Sequence, residues 1–187
     1  MIKNKDEYKD YLLADKKALG RKKNSPAIND YIWRYEILLR KCEYYQNCKK
    51  GFLSSIIGGV IRYRRSILGA MCGFSIPVNC IDKGLCLAHI GSIIVSEYAH
   101  IGENCKIHVG VNIGADARIS NAAPKIGNNV YIGPGAKLFG DIIIADNIAV
   151  GANAVVNKSF TEASISIGGI PAREISKNGS KEIIRNI

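Results

Sequence analysis

The stretch from Leu85 to Gly114 reads LCLAHIGSIIVSEYAHIGENCKIHVGVNIG and holds His89, His100 and His108, all the histidines of the 187-residue chain. A neutral imidazole titrates near working pH, so each could take a proton from a hydroxyl, bind a metal, or sit on a solvated wall. Zinc needs clustered ligands at characteristic spacings. The six cysteines, at 42, 48, 72, 80, 86 and 105, form no C-x-x-C pair. They are expected to be reduced thiols in apolar positions, and no metal is expected.

What must position these histidines is a repeat. Val95, Ile101, Ile107 and Ile113 fall six residues apart, and so do Ile126, Ile132, Leu138, Ile144, Val150 and Val156. Glycine follows the anchor at 102, 114, 127, 133 and 151. A period of six is neither that of a helix nor that of a simple strand. It predicts a short strand plus a turn per repeat, with stacked coils burying ladders of aliphatic anchors that no single repeat could bury alone. The step from Ile113 to Ile126 is thirteen residues rather than twelve, so a loop over 115–124 interrupts the repeat. Upstream of Val95 the phase is ambiguous, with Ile90 one residue out of register.

The first third is different. Residues 1–70 carry 16 Lys/Arg and 7 Asp/Glu, while residues 71–187 carry 10 and 9. Helical spacing predicts one helix over 6–19 that Gly20 breaks, and a second over 25–45 with Ser25 as N-cap and Pro26 in the first turn. A third is predicted from Phe52 to Leu68, punctuated by Gly69 and Gly73. The expected organisation is an N-terminal helical region (1–70), a repeat domain (71–175) and a C-terminal tail (176–187). The basic first third is a solvated helical surface or attracts an anion such as cofactor phosphates, a phosphate-bearing acceptor or an anionic membrane surface at which the chain associates peripherally. No nucleic-acid recognition motif accompanies the charge. The charged stretch Met1–Asp15 does not read as a secretory signal, and the expected compartment is cytoplasmic.

The segments GFSIPVN, GLCLAHIGSIIVSEYAHIGENCKIHVGVNIGA, PKIGNNVYIGPGAKLFGDIIIADNIAVGANAVV and IGGIPAREI resemble the hexapeptide-repeat acyltransferases. Within them the resemblance is to the serine acetyltransferase branch, in particular to the serine acetyltransferase-like proteins of polysaccharide assembly. The resemblance implies a mainly β fold, a left-handed parallel β-helix behind an N-terminal α-helical region, assembled as a homotrimer and using acetyl-CoA. It implies that His89 is the general base, with His108 near it one coil further on, and that His100 is solvated. Glu97, Asp82, Asp116 or a backbone carbonyl would orient His89. It implies a pantetheine groove along the small residues Gly114, Ala115, Pro134 and Ala152 at one corner of successive coils. Asn157, Lys158 and Arg173 would meet the coenzyme phosphates.

Departures from that branch guide the expected acceptor. The branch has an aspartate upstream of the base, where this chain has no acid near Phe74. It has another directly before the base, where this chain has Ala88. It has an Arg-His pair before P-K-I, where this chain has Ala122 and Ala123. A zwitterionic amino acid needs charged groups to hold it. The expectation is therefore an O-acetyltransferase whose acceptor is a hydroxyl of a sugar, glycan or lipid-linked sugar, of capsule or O-antigen type. Serine O-acetylation is the alternative. A zinc-dependent, carbonic-anhydrase-like reading is disfavoured because the histidine spacings lack an H-x-x-x-x-H pair. A non-catalytic scaffold is disfavoured by the intact coenzyme-loop motifs.

Overall fold

A computed structural model describes residues 1–119 and 121–184. The last three residues of the expected C-terminal tail lie outside the described residues. Three helices come first: α1 (Lys5–Ala18), α2 (Tyr31–Cys48) and α3 (Phe52–Cys72). Short strands follow: β1 (Phe74–Ser75), β2 (Cys86–Leu87), β3 (Ile93–Val95), β4 (His100–Ile101), β5 (Lys106–Ile107), β6 (Asn112–Gly114), β7 (Lys125–Ile126), β8 (Tyr131–Ile132), β9 (Lys137–Phe139), β10 (Ile143–Ile144), β11 (Ala149–Val150), β12 (Val155–Val156), β13 (Ser166–Gly169) and β14 (Ala172–Ser176).

From β3 onward the strands visit three sheets in rotation. One stacks β1, β3, β6, β9 and β12; the second β4, β7 and β10; the third β2, β5, β8, β11, β13 and β14. Every pairing is parallel except the terminal β13–β14 hairpin. The result is a three-sided parallel coil. All ten anchors of the repeat point inside it, and the most exposed of them, Val95, is only 4% accessible. Burying a side chain of this kind contributes about 1.5–3 kcal/mol.

Coil lengths explain where the repeat loses phase. Leu87 pairs with Ile107, and Ile94 with Asn112, so the chain takes eight steps from Leu87 to Val95 but six from Ile107 to Ile113. The two extra residues fall in the segment that carries His89 and Ile90. Gly91, at φ +142°, makes the detour feasible, since a Cβ there would come within 2.2 Å of the Val109 side chain. In the next coil Gly114 pairs with Phe139 and Ile126 with Ile144, leaving the 115–124 segment as the inserted loop. The Asp116 amide donates to the Ala122 carbonyl at 2.7 Å across its base.

The helices close the N-terminal end of the coil. Helix α1 starts at Asn4, whose side chain accepts from the Asp6 and Glu7 amides. Helix α2 begins at Tyr31 rather than at Pro26, because Asp30 accepts from the Trp33 amide and takes the capping role expected of Ser25. Ile28, exposed in the lead-in, has nothing to pack against. Helix α3 runs four residues past its expected end and stops at Gly73, which is left-handed at φ +78°.

Buried charges join the helices to the first coil. The fully buried Arg40 guanidinium binds Asp15 at 2.7 Å and Glu43 at 3.0 Å, and donates to the Ile81 and Asp82 carbonyls. Asp15 accepts from the Gly84 and Leu85 amides, and Glu36 from the Leu87 amide. Each of these carboxylates replaces the β-strand that the first coil lacks on that side, so its amides are not left orphaned. Glu36 Oε2 has no hydrogen-bond partner among the described residues, and burial followed by repulsion from Asp15 raises its carboxyl well above the ordinary 4.5, which favours the protonated form.

Candidate active site

His89 follows β2, and His108 follows β5, directly above it in the same sheet. Leu87 pairs with Ile107, so His108 stands level with Ala88, whose amide donates to the Ile107 carbonyl at 3.0 Å, and His89 begins the bulge. The two imidazoles still meet, with ring centroids 5.7 Å apart, and Tyr131 packs edge-on to His108 at 5.1 Å. His108 Nε2 is buried and has no hydrogen-bond partner among the described residues. Burial, then the neighbouring Lys106 and His89, lowers its basicity, so it is neutral at physiological pH. His89 is exposed at the rim.

Both rings open onto a cavity of about 310 Å³ whose wall also includes Lys106, Ala88 and, from the turn after α1, Gly20 and Arg21. Arg21 is bound to Asp30 at 2.8 Å but remains partly exposed. The lining thus offers two imidazoles and two cations, and no carboxylate. Lys106 and Arg21 were absent from the sequence expectations. Lys106 had a signal, since it stands two residues before His108, which puts both on the outward face of one strand. Arg21 had none, because only the docking of the α1–α2 turn brings it here.

The acids proposed to orient His89 are engaged elsewhere. Asp82 accepts from the Met1 amine and the Tyr11 hydroxyl and lies 3.5 Å from His100 Nε2. Asp116 holds Arg118, and Glu97 is exposed on the far turn. His100 is exposed and lies beside Asp82.

Pairing of Ile107, Ile132 and Val150 puts Val109, Pro134 and Ala152 in one column up the coil; below Val109 stands Ser92 rather than His89, since the Gly110 amide donates to the Ser92 carbonyl. The Asn153 amide donates to the Pro134 carbonyl, locking the last two steps. Pro134 and Ala152 are exposed, and Gly135, at φ +75°, turns the chain between them and the next strand. Gly114 and Ala115 do not share that corner, contrary to expectation: Gly114 ends β6, in a different sheet, level with Phe139. Lys158 and Arg173 are brought together, on a cavity of about 450 Å³ at the C-terminal end of the coil, with exposed Asn157 beside them in sequence. Lys177 binds both Glu162 at 2.8 Å and Glu174 at 3.0 Å, so the acids of that cavity are already paired. No group of three or more His, Cys, Asp or Glu able to hold a metal occurs among the described residues.

Residues 123–158 match the family profile described as bacterial transferase hexapeptide (six repeats). That segment carries the repeat of the hexapeptide transferases. Among its relatives is a serine acetyltransferase of Staphylococcus xylosus, 33% identical over 135 residues, which cover 71% of this chain and 59% of that one. The serine acetyltransferase of Brucella abortus strain S19 in complex with coenzyme A is 25% identical, with a TM-score of 0.70 over 93% of this chain and 70% of that one. A soybean serine acetyltransferase complexed with serine shares the fold at 23% identity, with a TM-score of 0.73 over 91% of this chain and 70% of that one. The chain spans 42–60% of the length of the curated relatives it matches.

These relatives overturn the expectation of a sugar, glycan or lipid-linked acceptor and of the polysaccharide branch, since the similar proteins are serine acetyltransferases. The expectation rested on Ala88, Ala122, Ala123 and the missing acid near Phe74. Ala122 and Ala123 are buried in the foot of the loop. The cations that line the His89–His108 cavity are Lys106 and Arg21, the second brought there only by the docking of the α1–α2 turn.

Proposed function

We propose that the chain is an acetyl-CoA-dependent O-acetyltransferase with serine as acceptor, working as a homotrimer of left-handed β-helices. The observation that carries this reading is the single cavity that joins His89 and His108 to Lys106 and Arg21. Two cations without a lining carboxylate suit the acceptor's carboxylate. The bulge after Leu87 carries His89 to the rim, beside the foot of the column of Pro134 and Ala152, along which a thioester arm would run. Small side chains leave that strip open, and Lys158 and Arg173 suit the coenzyme's phosphates at its end. Gly114 and Ala115, on another edge, would line the same groove from the neighbouring protomer.

His89 takes the proton of the serine hydroxyl as its oxygen attacks the thioester carbonyl carbon. The carbon–sulfur bond then breaks, the acetyl group stays on the serine oxygen, and the imidazolium returns its proton to the departing thiolate. His108, neutral and packed beside His89, forms the wall of the cavity that holds the acceptor hydroxyl toward His89.

The test is discrimination at the carboxylate. L-serine and L-serinamide differ only there, and one charged hydrogen bond is worth about 1.5–3 kcal/mol. Serine is expected to exceed serinamide in kcat/KM by about tenfold or more. Lys106→Ala should erase most of that difference through KM. Equal use of both acceptors by the unmodified enzyme would remove the carboxylate from the reading.

A further inference from the structure

Helix α3 carries its apolar side outward. Gly58, Leu68, Gly69 and Cys72 form the face packed on the protein. At about 100° per residue, Phe52, Ile56, Val60, Tyr63, Ile67 and Met71 line the opposite face. Phe52 is 81% exposed, Tyr63 68% and Met71 64%. A contiguous apolar stripe of this size marks an interaction surface. The same projection places the exposed Arg64 on one margin of the stripe, and Lys49 and Lys50 lie just before its N-terminal end. No acidic residue occurs between Glu43 and Asp82. Three of the seven acids of residues 1–70, Asp15, Glu36 and Glu43, are buried, which leaves the outer surface of the helical region more basic than its sequence balance.

We infer that α3 is a docking face for an anionic lipid bilayer. An apolar stripe bordered by Arg64 and preceded by Lys49 and Lys50, with no acid near it in sequence, lies in the plane of the headgroups, sinking its side chains into the acyl boundary while the cations meet lipid phosphates. A second copy of the same helix would bring like charges together. Among the described residues no helix is long and apolar enough to cross a membrane, so the contact is superficial. At about 31 Å long, the helix would hold the coil beside the bilayer. This inference stands apart from the identity of the acceptor.

The experiment is vesicle flotation of the full chain, with phosphatidylcholine alone and with equal parts phosphatidylcholine and phosphatidylglycerol. The protein should float with the mixed vesicles at low salt, far less with phosphatidylcholine alone, and be released by high salt. Phe52→Ser with Ile56→Ser should lower the bound fraction at least about tenfold, and Arg64→Ala about fivefold. Circular dichroism should stay unchanged, because these side chains are exposed. Absence of flotation with the mixed vesicles, or flotation indifferent to the stripe substitutions, would overturn the inference. So would a fall in particle mass of the Phe52/Ile56 variant in sedimentation, which would assign the stripe to a second copy of the chain.

Discussion

His89 and His108 divide the work of one site by their surroundings. His89 sits exposed at the rim on a two-residue bulge, and His108 sits lower, with a buried Nε2 and a ring kept neutral by burial and by Lys106. His89→Ala is expected to lower acetyl transfer by about 10²–10⁴-fold, the weight of one general base. Coenzyme A binding, followed by calorimetry, should be unchanged. His108→Ala should act mainly through the KM of the acceptor. Of these features the sequence displayed the histidines and their near-coil spacing, because Ile107 and Ile113 are in phase around them. It did not display the bulge, since an insertion of two residues looks like loss of phase, nor the approach of Arg21, which depends on tertiary docking.

At the scale of elements, the first coil is held by carboxylates rather than by a neighbouring strand. Arg40→Met would leave Asp15 and Glu43 buried without their cation, and should destabilise the protein by about 3–5 kcal/mol, read in chemical denaturation. Glu36 gives the pH dependence. Its folded carboxyl keeps a proton that the unfolded chain releases near pH 4.5, so its contribution lowers stability as pH rises above 4.5 and levels off above its raised folded value. Glu36→Gln should therefore match the parent near pH 4 and become progressively more stable toward neutrality. Parallel loss in both proteins across that range would mean that Glu36 is charged. The helices were legible in outline, yet α2 starts at Asp30 because a capping carboxylate beside a packed face outweighs the Ser-Pro signal upstream. The buried network was not legible at all: Asp15, Glu36, Arg40 and Glu43 read as surface charges until α1 and α2 close against the first coil.

Across the whole molecule, the hexapeptide phase alone specified the coil, because ten inward aliphatics can be buried together in no other simple way. The acceptor could not be read in the same manner, since its binding groups come from segments far apart in sequence. The proposed trimer should appear in light scattering at three times the mass of the 20.4 kDa chain. A monomer with full activity would contradict a groove shared between protomers. The central claim is that this coil transfers acetyl from acetyl-CoA to serine through His89. It is tested most directly by release of the coenzyme A thiol with L-serine as acceptor, with the parent and His89→Ala compared at equal protein. Saturable release that yields O-acetylserine and is lost in the variant is the expected result. A folded, coenzyme-binding parent that releases no thiol with serine, or a His89→Ala variant that turns over as fast as the parent, would contradict it.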